Sequence, residues 1–187
     1  MHLLKAYFDY MNSPEKALHA LLEERSFAQA CMGYFAATLG WVLFFNIGSG
    51  ATAAAILLKI IVVFIAELTA GYFLASFCGL YLDFLKVETS PAKLFVLIGS
   101  AGFIKGLLIA FALISAAFPA ARLVWLSPLA LLLVFGLQLG YLTRGIKRVY
   151  NISYPRALGA WLFAFVPMLV ALGLLFVFMC WGLMLLF

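Results

Sequence analysis

The sequence predicts an all-α fold: a polytopic membrane helix bundle of five transmembrane helices, led by an N-terminal amphipathic cytoplasmic helix. Three observations carry this expectation. The chain of 187 residues is 67% hydrophobic and only 10% charged, whereas soluble domains carry roughly a quarter charged residues. Its apolar residues gather in five runs, each long enough for the ~20 residues a helix needs to cross the hydrocarbon core. Nine of its twelve lysines and arginines lie in three short polar stretches on one side of those runs, the asymmetry that orients membrane proteins.

Taken in order, residues 1–25 form a separate cytoplasmic lead-in and residues 26–187 a single transmembrane domain. In the lead-in, Ser13 and Pro14 supply an N-cap and a first-turn proline. Ala17, Leu18, Leu21 and Leu22 recur at helical spacing opposite Glu15, Lys16 and Glu23, which suits a helix lying along lipid headgroups or across the bundle mouth. No apolar run ending in a small-residue cleavage site occurs there, so a removable signal peptide is not expected. Ser26 and Gln29 have the spacing of a capping box and start the first span.

The spans are expected at Phe27 to Ile47, Ala53 to Leu85, Leu94 to Phe118, Val124 to Thr143 and Leu158 to Phe187. The second and fifth exceed the minimum length, so they must tilt, kink or protrude. Pro167 is a candidate kink in the fifth. Short connections at 48–52, 86–93, 119–123 and 144–157 imply antiparallel sequential neighbours. Lys5, Lys16 and Arg25 precede span one, Lys86 and Lys93 follow span two, and Arg144, Lys147, Arg148 and Arg156 follow span four. Only Arg122 lies opposite them, which puts the N-terminus in the cytoplasm and the C-terminus outside.

Net charge of +5 would suit nucleic acid, but the cations border apolar spans and no separate basic domain exists; anionic headgroups are the better partner. Cys31, Cys78 and Cys180 lack the short spacings of a disulfide framework or zinc site and read as small hydrophobes. The two histidines, His2 and His19, cannot build a multi-histidine metal centre, and Glu15, His19 and Glu23 read as a solvated helix face. No serine–histidine–acid set, P-loop or dinucleotide fingerprint is visible, so neither metal, cofactor nor catalytic residue is expected.

Two charges stand apart inside the spans. Counted from the cytoplasmic boundary, Glu67 lies about 20 Å and Lys105 about 16 Å into the membrane at ~1.5 Å per residue. A charge at such depth is costly unless paired or wetted, and an antiparallel hairpin of spans two and three would bring these two together. Register fixing outweighs a transport role for such a pair, because one pair makes no pathway. Transport would need supporting polar groups, for which Thr69, Ser76, Ser100 and Gln138 are available. Lys59 lies nearer the outer end of its span and can snorkel.

Small residues mark close helix approach. Gly71, Ala75 and Gly79 continue the face of Glu67 at steps of four, and Gly102 and Gly106 flank Lys105. Gly136 and Gly140 bracket Gln138, while Gly33 with Ala37 and Ala36 with Gly40 repeat the spacing in span one. Packing within the monomer is expected of them ahead of homo-oligomerisation. Trp41, Trp125, Trp161 and Trp181 are expected as anchors at the membrane interfaces. Ser13-Pro14, Ser90-Pro91 and Ser153-Tyr154-Pro155 each join a helix-start signal to a nearby cation, as repeated helix-start chemistry does.

These features together resemble the Yip domain family, small five-span membrane proteins with a cytoplasmic N-terminus. The carrying segments are Asn12 to Leu18, the polar second span around Ala66-Glu67-Leu68, Leu94 to Phe118 with Gly99-Ser100-Ala101-Gly102, and Gly145 to Tyr150 followed by Ser153 to Ala157. Eukaryotic members bind Rab-type small GTPases in membrane traffic. The Asp-Leu-Tyr-Gly-Pro sequence associated with those members is missing, and Gly79-Leu80-Tyr81-Leu82-Asp83 does not replace it. The resemblance is therefore to a prokaryotic-type relative, which implies a bacterial inner membrane, and GTPase binding is not carried over to this chain. The expected function is a non-enzymatic scaffold or adaptor that engages lipids and a membrane or cytoplasmic protein. The competing expectation is a small oligomeric channel or transporter built on the Glu67 and Lys105 site.

Overall fold

The computed structural model describes residues 27–46, 50–118 and 123–184, and among them every regular element is a helix. The elements are α1 (Phe27–Phe45), α2 (Ala53–Phe84), α3 (Pro91–Lys105), α4 (Leu107–Ala117), a 3₁₀ turn at Leu123–Leu126, α5 (Ser127–Val149) and α6 (Tyr154–Met184). Among the described residues, four stretches are long and apolar enough to cross a membrane: α1, α2, α3 with α4 taken together, and α5. The amphipathic lead-in at 1–25 and the Ser26 cap lie outside the described residues.

The helix ends follow local chemistry. Thr52 caps α2, its hydroxyl accepting from the Ala55 amide at 3.3 Å. Pro91 opens α3 in the first turn, where a missing N–H costs nothing. Ser90 precedes it without a side-chain cap, but its carbonyl accepts from the Tyr150 hydroxyl at 3.3 Å, joining the start of α3 to the end of α5. Burial pushes the Tyr150 hydroxyl's pKa up. The connection expected at 144–157 is mostly helix. Arg144, Lys147 and Arg148 belong to the last turns of α5, where cations oppose the negative end of the helix dipole, and Arg156 belongs to the first turn of α6.

The third span differs from the continuous helix expected at Leu94 to Phe118. It breaks at Gly106, whose amide donates to the Phe103 carbonyl at 3.0 Å, one residue tighter than an α-helical bond. The helix of the fifth expected span, α6, does the reverse and runs through Pro167 as one element.

Packing centres on α3, in which Val96 through Ile104 are all buried. Its closest partner is α1, which runs parallel to it. A side chain on Gly33 would collide with the Gly99 carbonyl, one on Gly102 with the Gly33 carbonyl, and one on Gly40 with the Lys105 carbonyl. Backbones this close explain the small residues, since any Cβ would separate the helices. Around this pair, α2 packs on α1, α3 and α6, while α5 packs on α3, α4 and α6. One apolar cluster joins Tyr34, Leu82, Leu94, Leu97, Leu142, Ile146 and Trp161 in one half of the bundle. A second joins Phe44, Phe103, Ile104, Leu108 and Val134 in the other half.

Candidate functional site

Between the two clusters lies the polar centre. Glu67 comes from the middle of α2 and Lys105 from the last turn of α3. The Lys105 ammonium bonds both carboxylate oxygens of Glu67, at 2.8 and 2.9 Å. The side chains keep small accessible areas, 13% for Lys105 and 16% for Glu67. A third group completes the site: the Trp41 indole N–H donates to Glu67 Oε1 at 2.8 Å, and the Lys105 ammonium lies 5.7 Å from the centre of the Trp41 ring. The indole thus supplies a charge-assisted hydrogen bond to the anion and a cation–π contact to the cation.

The pair borders a cavity of about 510 Å³. Five helices supply its walls: Tyr34, Trp41 and Phe45 from α1, Glu67 and its neighbours from α2, Gly102 and Lys105 from α3, Phe135 and Gln138 from α5, and Trp161 and Phe165 from α6. A mostly apolar lining that includes six aromatic side chains and a few convergent polar groups, in this size range, is the usual make-up of a small-molecule pocket. Its lining residues Phe45, Ala66 and Phe135 are exposed, so the cavity is open, and α2 and α5, which carry the last two, make few contacts with each other.

The expected supporting groups divide. Gln138 joins Glu67 and Lys105 at the cavity, being buried on the α5 face that also carries Val134, Leu142 and Ile146. Thr69 does not: it is exposed and its hydroxyl donates to the Ile65 carbonyl of its own helix at 2.8 Å. Ser76 likewise bonds Tyr72, and buried Ser100 bonds the Leu97 carbonyl at 2.7 Å. Each hydroxyl is satisfied within its own helix and is not available to a site.

One packing expectation and one aromatic expectation are corrected. Gly136 and Gly140 meet nothing within 4 Å of an added Cβ, so among the described residues they pack against no helix. Their spacing places them on the face of α5 turned away from its buried stripe. Gly102 and Gly106 both face α1, Gly102 against the Gly33 carbonyl and Gly106 at ordinary contact distance from the Ala36 side chain, and Gly106 also breaks the helix. In the α2 stripe, Gly71 accommodates the Tyr34 hydroxyl and Ala75 is buried, while Gly79 meets Leu94, Thr89 and Pro91 at ordinary contact distance. Trp41 and Trp161 line the cavity and are not interface anchors, whereas Trp125 and Trp181 are exposed. Tyr34 and Trp41 stand seven residues apart, two turns along one face, a spacing that puts them on the same side of α1 but does not single either out as a site residue.

Of the cations outside the spans, Lys86, Arg144, Lys147, Arg148 and Arg156 are exposed and Lys93 is half-buried. Lys59 pairs with Asn46 at 2.5 Å near the opposite end of α2. Cys78 is buried and donates weakly to the Ala160 carbonyl at 3.4 Å, bridging α2 and α6. Compared with protein-family models, curated proteins and solved structures, the chain matches none.

Proposed function

We propose that this chain is a five-span integral membrane protein with a cytoplasmic N-terminus that binds a small amphipathic molecule inside the bilayer, as a small carrier does. The single observation carrying this is the aromatic cavity of about 510 Å³ with the Glu67–Lys105 pair in its wall. A pair serving only to fix register needs no open space beside it, and buried charges that border a cavity mark substrate paths in membrane proteins. The cavity favours this over the adaptor function expected from the Yip-like features, and binding without catalysis is part of the proposal.

The adaptor remains a second proposal, supported by the exposed cationic rim of Lys86, Arg144, Lys147, Arg148 and Arg156. That rim suits anionic headgroups or an acidic partner surface.

The test is co-purification. Protein extracted gently from its membrane and analysed by mass spectrometry is expected to release a small molecule in near-stoichiometric amount, and Ala66→Trp, which fills the opening from an exposed position, should lose it. Recovery of the same molecules with both proteins, or of none with either, overturns the binding proposal.

A further inference from the structure

The cavity contains a polar group that its own walls leave unsatisfied. Gln138 is only 7% exposed, and it is placed on the cavity wall. Its amide has no hydrogen bond among the described residues, although it can donate two and accept two. The amide nitrogen and oxygen keep accessible area and front the open space of the cavity, where a ligand or water serves such groups. The neighbouring charges do not serve it, because the ammonium of Lys105 and carboxylate of Glu67 are turned on each other and on Trp41.

The electrostatics of the lining narrow the occupant. Glu67 and Lys105 are the only carboxylate and the only ammonium among the described lining residues, and their charges cancel. A ligand carboxylate would compete with Glu67 for Lys105, and a ligand ammonium would compete with Lys105 for Glu67. Either leaves a net charge in a low-dielectric site. An uncharged head group leaves the pair intact and supplies what Gln138 lacks. The remaining wall is apolar, and its opening between α2 and α5 lies along the helices' flank, at the level where acyl chains run.

Resting on the binding function above, we infer that the ligand is an uncharged amphipath. Its hydroxyl or carbonyl head is hydrogen-bonded to Gln138, and its apolar body lies against Phe135, Trp161 and Phe165 in the opening between α2 and α5. It enters sideways from the lipid.

The cavity carries its own reporters in Trp41 and Trp161. The experiment uses the full chain with Trp125→Phe and Trp181→Phe, reconstituted in phosphatidylcholine nanodiscs and titrated with a nitroxide-labelled long-chain alcohol. Matched nitroxide fatty acid and alkylamine probes are run in parallel. The alcohol is expected to quench saturably and to be displaced by unlabelled alcohol. Gln138→Leu should raise its half-saturation about tenfold, the loss of one buried hydrogen bond. The same variant should retain its thermal unfolding midpoint, since the change removes an unsatisfied amide. Saturable quenching by the acid or amine in preference to the alcohol overturns the uncharged class and leaves cavity binding standing. Non-saturable quenching by all three probes, unchanged by Gln138→Leu, overturns both.

Discussion

Glu67 is held by two donors from two different helices. Lys105 supplies charge and Trp41 supplies direction, so removing either leaves the carboxylate with part of its desolvation uncompensated. Glu67→Gln and Lys105→Met are each expected to cost roughly 3 kcal/mol of stability. Trp41→Phe, which keeps the ring and removes the N–H, should cost about 1.5 kcal/mol. Equilibrium unfolding in mixed micelles measures all three. The exchange Glu67→Lys with Lys105→Glu should recover more than half of either single loss, and a double variant as unstable as the sum of the singles would exclude a direct pair. The depth argument made the two charged residues legible, because charge inside an apolar run is conspicuous. Trp41 was not legible, because an indole near a span end looks the same whether it faces headgroups or a carboxylate.

At the level of the helices, glycine spacing was a poorer guide than glycine placement. The same small-xxx-small pattern occurs in α1, α3 and α5, yet it brings backbones together only between α1 and α3. Gly33→Ala forces a methyl group into the Gly99 carbonyl and should destabilise by about 1 to 3 kcal/mol or more. Gly136→Ala meets open space and should change stability by no more than about 0.5 kcal/mol in either direction. Thermal unfolding of the two variants side by side is the check, and equal effects would contradict the packing described. Sequence periodicity shows that a residue is small but not which helix arrives beside it. Sequential order suggested that α2 would be the closest partner of α3, whereas α1, sixty-odd residues earlier, holds that position. The break at Gly106 was hidden for a related reason: the apolar run continues unbroken across it, and only the backbone hydrogen bonds change register.

For the molecule as a whole, charge distribution predicts an orientation that single-cysteine labelling can measure. In a background with Cys31, Cys78 and Cys180 replaced by serine or alanine, Glu88→Cys and Lys147→Cys occupy exposed positions at one end of the bundle, and Ala53→Cys an exposed position at the other. A membrane-impermeant maleimide added outside intact cells should label Ala53→Cys and reach the other two only after the membrane is opened. The reverse pattern would invert the proposed topology. The bundle class was readable from composition because lipid imposes a severe constraint on every exposed side chain. The cavity was not readable, since it depends on α2 and α5 failing to meet, and an absent contact leaves no mark on either helix's sequence.

The parallel embrace of α1 and α3 also sets a timetable for biogenesis. The first helix emerges from the ribosome with a glycine groove that its immediate successor does not fill, and Glu67 follows before Lys105 has been synthesised. Until the third span arrives, the nascent protein has both an open seam and an unneutralised carboxylate. The two debts are settled by one event, because Gly99, Gly102 and Lys105 arrive on the same helix. Insertion of that helix is therefore the committed step of assembly, and the interval before it is when membrane quality control has the most to recognise.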